Sequence, residues 1–251
     1  MKKKGILIPA EHGAWGLIAE PLLLGLLAAP SPAGFFLALF SFAAFLLRTP
    51  GLRLLRARRA ASPDPHGPTV KRFTLVTGST ALLSLLAAIR AGARSDALFP
   101  FAAALPPMLW TLREQDRGRT RTLWPELIAG AAVSAPVSAI AIAGGIPART
   151  AYFLWGLLAL KNVSAILYVR CQIKRLLNRP HDLGGMITLH AAIPALLLVF
   201  DQPAAVTVPF LLLAARATLL SFFPFQGAKQ IGWGEVGVSL LFVLSLGLTF
   251  P

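Results

Sequence analysis

The sequence predicts an all-α fold, a polytopic bundle of about nine transmembrane helices that forms a single domain over residues 1–251. First, 56% of the residues are hydrophobic and only 14% are charged, whereas soluble proteins average about 45–50% and about 25%. Second, the mean hydropathy is +0.69. Third, the apolar residues form runs of about 20, the length of a helix that crosses a bilayer. These features exclude a soluble α/β enzyme, a β-sandwich and a coiled coil.

Nine apolar runs define the predicted spans, and turns rich in glycine and proline separate several of them. The spans are 13–30, 33–48, 73–90, 96–112, 123–145, 150–170, 183–200, 203–221 and 232–250. Pro106 and Pro107 lie within the fourth run, which membrane helices tolerate when neighbouring helices satisfy the freed carbonyl groups. Glu11, His12 and Glu20 interrupt the first run, so we expect it to be retained as a span and not cleaved as a signal peptide.

The cations are distributed unevenly between the two sets of connections. The chain has 24 Lys and Arg residues against 10 Asp and Glu, a formal net charge of +14. Twenty of these cations lie in the N-terminal tail and alternate connections, and three lie in the other connections. Because positive residues favour the cytoplasmic side, we expect the N-terminus inside and the C-terminus outside. The excess charge therefore predicts orientation and no nucleic-acid partner.

Residues 49–72 form the longest predicted cytosolic loop. Leu52, Leu54 and Leu55 lie among arginines in its first half, a pattern typical of a short amphipathic helix on an anionic membrane surface. Its second half, residues 62–68, is rich in proline and is typical of a turn-rich linker. We therefore expect membrane lipid as a partner.

The first span carries ionisable side chains, which are costly at membrane depth. Glu11 and His12 lie at its predicted cytosolic start, followed by Trp15, and Glu20 lies deeper. One interpretation is a proton-handling or ligand-binding carboxylate with a nearby histidine. The other is that Glu20 pairs with a cation such as Lys161 and that Trp15 is an interface anchor. The sequence leaves both open.

The sixth span has a polar face. Residues at three- and four-residue steps form a stripe on one side of the predicted helix: Lys161, Ser164, Tyr168, Gln172 and Arg175, with Asn162 beside it. With Arg170 and Lys174, the stripe ends in a basic cluster that would suit an anionic substrate entering from the cytosol. The alternative is that the cluster only sets topology, whereas Lys161, deep in the span, predicts function or a required buried pair.

The connection before the ninth span combines charge with glycines. Lys229 and Glu235 bracket a glycine-rich turn that opens the ninth span, and Arg216 and Gln226 precede it. Arg216 and Lys229 are two of the 20 cations assigned to the cytosolic side. Glycines let backbone N–H groups approach a ligand, and a helix N-terminus favours anions. This turn could share one pocket with the first and sixth spans, or it could simply be a flexible flank of the interface residue Trp233.

These observations yield one set of ligand-binding candidates and no metal site. The candidates are Glu11, His12, Trp15, Glu20, Arg48, Lys161, Asn162, Tyr168, Arg170, Gln226, Lys229 and Glu235. No group of His, Asp and Glu has metal-ligand spacing, and the single cysteine, Cys171, excludes an intramolecular disulfide. The sequence identifies neither a catalytic residue nor a cofactor, and leaves open whether the protein is an enzyme.

Three segments resemble a known family. The N-terminal Pro-Ala-Glu-His-Gly-Ala-Trp-Gly of residues 9–16, followed by residues 21–25, resembles the YwiC-like family of bacterial membrane proteins. Residues 45–50 and 166–170 are similar to further segments of that family. The resemblance extends along the whole chain and implies a multi-pass integral protein of the bacterial cytoplasmic (inner) membrane, without supplying a reaction.

The predicted architecture is also similar to that of the UbiA prenyltransferase superfamily, which holds Mg²⁺–diphosphate on aspartate-rich motifs after helices two and six. At the first position this chain has arginines, beginning with Arg48, and at the second it has Arg170, Lys174 and Arg175 with Asp182 alone. A metal-bridged diphosphate site therefore lacks its ligands. Arginines could hold a phosphate directly, and prenyl transfer is not carried over.

Three functional hypotheses follow. The first is a cytosol-facing intramembrane pocket for an anionic or lipid-linked small molecule, with a UbiA-like transferase as one form of it. The second is a secondary transporter, proton-coupled through Glu20 and Lys161, which predicts broken helices near the midplane. The third is a non-enzymatic membrane scaffold. The positions of Glu20, Lys161 and Lys229 relative to one another distinguish these hypotheses.

Overall fold

The computed structural model of the protein describes residues 7–8, 12–59, 66–119, 122–223 and 227–250. In these residues the regular structure is helical and contains no strand. The α-helices are α1 (His12–Ala28), α2 (Pro32–Arg59), α3 (Gly67–Arg90), α4 (Phe99–Asp116), α5 (Leu123–Val133), α6 (Pro136–Ala143), α7 (Ala148–Leu176), α8 (Leu183–Val199), α9 (Ala204–Phe222) and α10 (Ala228–Gly247). A 3₁₀ turn, Ser95–Leu98, precedes α4.

The prediction of an all-helical bundle with nine spans is confirmed for the described residues when α5 and α6 are counted as one broken span. Six helices are long and apolar enough to cross a membrane: α2, α3, the broken span Leu123–Ala143, α7, α9 and α10. Two shorter apolar helices, α1 and α8, and the proline-containing α4 complete the set. The helix α2 continues to Arg59, so the amphipathic half of the predicted 49–72 loop extends span two, and α3 begins at Gly67.

The break between α5 and α6 follows from Pro136, which has no backbone N–H to donate to the preceding turn. The freed carbonyl groups find side-chain donors instead. The indole Nε1 of Trp155 donates to the Ala131 carbonyl at 2.9 Å, and the Ser134 hydroxyl donates to the Gly130 carbonyl at 2.9 Å. These two carbonyl groups at the break are therefore hydrogen-bonded within the bundle, as a non-helical segment at membrane depth requires.

The short helix α6 lies at the centre of the bundle, where α1, α2 and α7 pack around it. Val137 and Ile140 are fully buried. A Cβ atom at Gly25 would lie 2.8 Å from the Ile140 Cβ, and one at Gly34 would lie 3.1 Å from the Ile140 Cγ2. Because small residues let membrane helices approach closely, these two glycines fix α1 and α2 against α6. Beyond them, α10 packs on α1 and α8 packs on α9.

The helix ends that carry most of the cations meet at one end of the bundle. Arg56 and Arg59, at the end of α2, form ion pairs with Asp116 at the end of α4. Arg175, at the end of α7, donates to the Leu220 carbonyl of α9 at 3.4 Å. Arg170 forms an ion pair with Glu126, near the start of α5, at 2.5 Å. We call this the basic end: the C-terminal ends of α2, α4, α7 and α9 with the N-terminal ends of α5 and α10.

Candidate functional site

Lys161 of α7 is the centre of a buried ion pair. Its side chain is 2% exposed, and its Nζ donates to the Glu20 Oε1 of α1 at 2.6 Å and to the Ser239 Oγ of α10 at 2.5 Å. An isolated charge at this depth is costly, so the carboxylate stabilises the ammonium group and is stabilised by it. Three helices that are distant in sequence are thereby joined, and the pairing of Glu20 with Lys161 that the sequence left open is present.

The helix break lies beside this pair. Asn162, the next residue of α7, donates from its Nδ2 to the Ser134 Oγ at 3.0 Å, and its Oδ1 lies 3.4 Å from the Lys161 Nζ. Asn162 therefore connects the ion pair to the α5–α6 break. On the other side of the pair, the Glu20 Oε2 atom is buried and has no hydrogen-bond partner in the described part of the chain.

A second ion pair lies nearer the basic end. Arg216 of α9 donates from its Nη1 to the Glu235 Oε1 of α10 at 2.5 Å, and the two side chains are 11% and 17% exposed. The Arg216 guanidinium carbon lies 4.0 Å from the centre of the Tyr168 ring, a cation–π arrangement. On α8, the His190 ring stands edge-on to Tyr168 with 6.1 Å between ring centres. Four helices thus meet around one aromatic ring.

The two ion pairs belong to one electrostatic unit. Glu235 interacts electrostatically with Lys161 and Glu20 as well as with its partner Arg216. The polar face of α7 connects the two pairs, because Lys161, Tyr168 and Gln172 are all buried on it. We call the set the polar centre. Its inner half, which lies farther from the basic end, contains Glu20, Ser134, Lys161, Asn162 and Ser239. Its outer half, which lies nearer the basic end, contains Tyr168, Gln172, His190, Arg216 and Glu235.

The outer half contains several buried polar atoms that have no hydrogen-bond partner among the described residues: Arg216 Nε and Nη2, Tyr168 OH, Gln172 Nε2 and His190 Nε2. A buried polar atom left unsatisfied costs about 1–3 kcal/mol, and native structures contain few of them. Here four belong to Tyr168 and the two residues that contact its ring, and the fifth belongs to Gln172, one turn further along α7. The Arg216 and Gln172 nitrogen atoms are donors. An arginine with two free donor nitrogens matches the oxygen atoms of a carboxylate, sulfonate or phosphate.

The other sequence-predicted candidates lie outside the polar centre. The Arg48 Nε donates to the Gln115 Oε1 at 2.7 Å, and Arg170 is paired with Glu126. Lys229 is exposed at the start of α10, so it does not join Glu20 and Lys161. Trp15 packs against two phenylalanines of α2, Phe42 and Phe45, with 6.2 and 5.8 Å between ring centres.

The side chains of three further candidates lie outside the described part of the chain. Glu11 and Gln226 lie outside the described residues, as does the side chain of His12, whose backbone begins α1.

The structure adds Arg216, His190 and Ser239 to the candidates. Arg216 carried a signal that could have identified it, because it lies inside the eighth apolar run, where a charge is costly. It had been counted with the cytosolic cations and not as an intramembrane residue. A buried histidine or serine has no comparable signal, since either is most often a hydrogen-bonding residue of a helical core.

The opposite end of the bundle contains a separate cavity of about 300 Å³, lined by Arg94, Asp96, residues 142–143 and residues 145–148. The helix α6 begins two residues after Ser134 of the polar centre and ends at Ala143, which lines this cavity. Its residues from 136 to 142 are buried and, apart from Ser138, apolar, and they lie between the cavity and the polar centre. No group of three or more His, Cys, Asp or Glu residues in the described ranges could hold a metal ion.

Comparison with known proteins identifies one relationship. The family model of the YwiC-like protein matches residues 8–142, which is more than half of the 251 residues. The match contains Glu20 and the α5–α6 break, whereas Lys161, Arg216 and Glu235 follow it. No curated protein and no solved structure matches the chain. The extent of the match shows that the chain belongs to the YwiC-like protein family.

Proposed function

We propose that the polar centre is an intramembrane binding site for an anionic small molecule, or for the anionic head of a lipid-linked one, reached from the basic end. We place that end on the cytosolic side of the bacterial inner membrane, in keeping with the positive-inside rule. The sequence already supported an anionic or lipid-linked ligand, and the geometry of Arg216 now supports a specific place for it.

The observation that carries the proposal is the incomplete pairing of Arg216. Glu235 accepts from one of its nitrogens, while Nε and Nη2 are buried without a partner among the described residues. The Tyr168 ring lies against the guanidinium group, and its OH is also buried without a partner among the described residues. An oxyanion in this position would accept from Arg216, and charge-assisted hydrogen bonds of this kind are about twice as strong as neutral ones.

The basic end supports access for such a ligand. Exposed cations there include Arg58, Arg179 and Lys229, and a surface of one sign of charge raises the local concentration of counter-ions. The outer half of the polar centre lies on the same side, near the end of α9 and the start of α10. An anion would therefore meet attractive charges before it reaches Arg216.

A secondary transporter is a second candidate, and one observation favours it. Discontinuous helices that line a site near the membrane midplane are typical of transporters, and the α5–α6 break contacts the polar centre through Asn162 and Ser134. Transport requires a second conformation, because in this one the buried residues of α6, apolar apart from Ser138, lie between the polar centre and the opposite end.

The test is a binding measurement on the purified protein in non-ionic detergent micelles. Methanesulfonate is the soluble probe, since it is an oxyanion with one charge, and phosphatidylglycerol added to the micelles is the lipid probe. Isothermal titration calorimetry is expected to show binding of at least one of them. Binding of methanesulfonate alone would indicate a soluble anion, and binding of phosphatidylglycerol alone would indicate a lipid-linked one.

Variants distinguish the site from general charge attraction. Arg216→Gln should weaken binding by roughly 10- to 150-fold, because it removes hydrogen bonds to a charged group worth about 1.5–3 kcal/mol. Tyr168→Phe removes only a hydroxyl group, leaves Glu235 paired, and should weaken binding by a smaller factor. The matched control is Arg179→Gln, an exposed arginine at the same end.

Either of two results would overturn the proposal. One is the absence of binding of both probes up to about 10 mM, which corresponds to a binding free energy near −2.7 kcal/mol. The other is an equal loss of affinity in Arg216→Gln and Arg179→Gln, which would leave lipid contact by a scaffold as the better interpretation of the basic end.

A further inference from the structure

We propose that the polar centre takes up one proton with each anion that it binds, and that the Nε2 atom of His190 accepts this proton. The inference rests on the anion site proposed above and adds the chemistry of its counter-charge. It follows from the charge balance of the polar centre, from the hydrogen bonding of His190, and from the positions of the neighbouring ionisable groups.

The charges of the polar centre already cancel before an anion enters. It contains two carboxylates, Glu20 and Glu235, and two bases, Lys161 and Arg216, joined in two buried pairs. An added anion would leave one negative charge uncompensated in a medium of low dielectric constant, which costs several kcal/mol. Buried sites relieve such a charge by changing a protonation state. Uptake of one proton restores neutrality.

His190 is the group in the polar centre that can accept this proton without losing an ion pair. Its side chain is 2% exposed, and its Nδ1 lies 2.9 Å from the Met186 carbonyl oxygen of the same helix. A carbonyl only accepts, so Nδ1 carries a hydrogen and the neutral ring has its lone pair on Nε2. That atom is buried without a partner in the described part of the chain. Protonation of Glu20 or Glu235 would instead disrupt a pair.

The groups around His190 explain why the proton would arrive with the anion. Tyr168 of α7 contacts the His190 ring, and Arg216 of α9, which is paired with Glu235 of α10, interacts with it electrostatically. The other ionisable groups where α7, α8 and α9 pack together are Cys171 and Arg175 of α7 and Asp182 before α8. Burial of the ring disfavours the imidazolium most, and the positive charge of Arg216 adds to that effect. An anion bound to Arg216 cancels the repulsion by that charge and attracts the imidazolium.

A proton bound with the ligand defines the sign of the pH dependence. Binding is tightest where His190 is protonated in both states. As the pH rises, the apparent affinity falls by up to tenfold per unit over the interval between the free and bound titrations of His190, and then levels off. The ligand class is therefore a monovalent oxyanion that enters together with a proton, so that the step adds no net charge to the membrane interior.

The experiment is calorimetric titration of the full chain in micelles with methanesulfonate, which does not itself titrate, between about pH 5 and 8, where histidine does. Repeating each titration in two buffers of different ionisation enthalpy gives the number of protons taken up. We expect a value approaching one in the wild-type protein. In His190→Gln we expect proton uptake to disappear and the affinity to become independent of pH, at the weaker level that the wild-type protein has at high pH.

The controls separate this inference from the site itself. His181→Gln changes an exposed histidine at the start of α8 and should leave proton uptake unchanged. His190→Asn is the second variant if His190→Gln does not fold. Wild-type binding without proton uptake, or uptake that persists in both variants, overturns the inference and leaves the anion site standing. If proton uptake disappears only in Glu235→Gln, the proton acceptor is Glu235 and the assignment to His190 is wrong. Absence of wild-type binding overturns the site and the inference together.

Discussion

Replacement of Lys161 by methionine tests the most buried charged side chain among the described residues. The change removes the group that donates to the Glu20 Oε1 at 2.6 Å and to the Ser239 Oγ at 2.5 Å. Glu20, whose other oxygen atom has no partner among the described residues, then becomes an unpaired buried acid. Breaking a buried ion pair costs about 3–5 kcal/mol, so we expect Lys161→Met to lower the free energy of unfolding by that amount. Lys229→Met removes an exposed lysine and should cost about 0.5 kcal/mol at most.

The double variant makes the test specific to the pair. Glu20→Gln alone leaves Lys161 unpaired and should also cost about 3–5 kcal/mol. Glu20→Gln combined with Lys161→Met leaves no unpaired charge, so its cost should be smaller than that of either single change. The assay is equilibrium unfolding in mixed micelles by titration with sodium dodecyl sulfate, followed by tryptophan fluorescence. If Lys161→Met is as stable as Lys229→Met, or if the double variant costs the sum of the single ones, the reasoning is refuted.

Two further predictions concern orientation and packing. Two single-cysteine variants in a Cys171→Ala background test the orientation, because the positive-inside rule places Arg179 and Arg149 on opposite sides of the membrane. Arg179→Cys should react with a membrane-impermeant maleimide only after the cells are opened, and Arg149→Cys should react in intact cells. The reverse pattern would contradict the orientation. Gly144→Ala should lower the free energy of unfolding by about 1–3 kcal/mol, since its Cβ would lie 2.5 Å from the Ala29 carbonyl oxygen. Gly156→Ala, where no atom lies within 4 Å, should cost nothing; equal costs would show that α1 and α6 do not pack this closely.

The broken span shows where prediction from the sequence stopped. Residues 123–145 form one apolar run, so they were predicted as one continuous helix. A proline within a run does not by itself predict a break, because Pro21 and Pro194 lie inside unbroken helices. At Pro136 the outcome depends on donors from elsewhere, above all the Trp155 indole that reaches the Ala131 carbonyl. That contact exists only once α7 has packed against α5.

The sequence likewise predicts some residues of the candidate site but not the contacts between them. Glu20 and Lys161 could be singled out because each lies within an apolar run, where an ionisable group is costly. Arg216 lies in such a run too, but its position near the predicted end made it resemble a topology-determining cation. Its distance from Glu235 and Tyr168 could not be inferred, since nothing in the order of the spans determines which helices become neighbours.

The sequence by itself determined the number of spans and the separation of the cations between the two sets of connections, whereas α2 and α7 extend 11 and six residues beyond their predicted ends. It could do so because span number and charge distribution depend on local composition: a bilayer requires about 20 apolar residues for every crossing. Only the tertiary structure decided that α1 and α7 share an ion pair to which α10 adds a hydrogen bond, and that α8 and α9 complete the polar centre. In a bilayer every span is apolar outside, so the helix neighbours are decided by close packing of small residues and by buried polar contacts, which join residues such as Glu20 and Lys161 from distant parts of the chain.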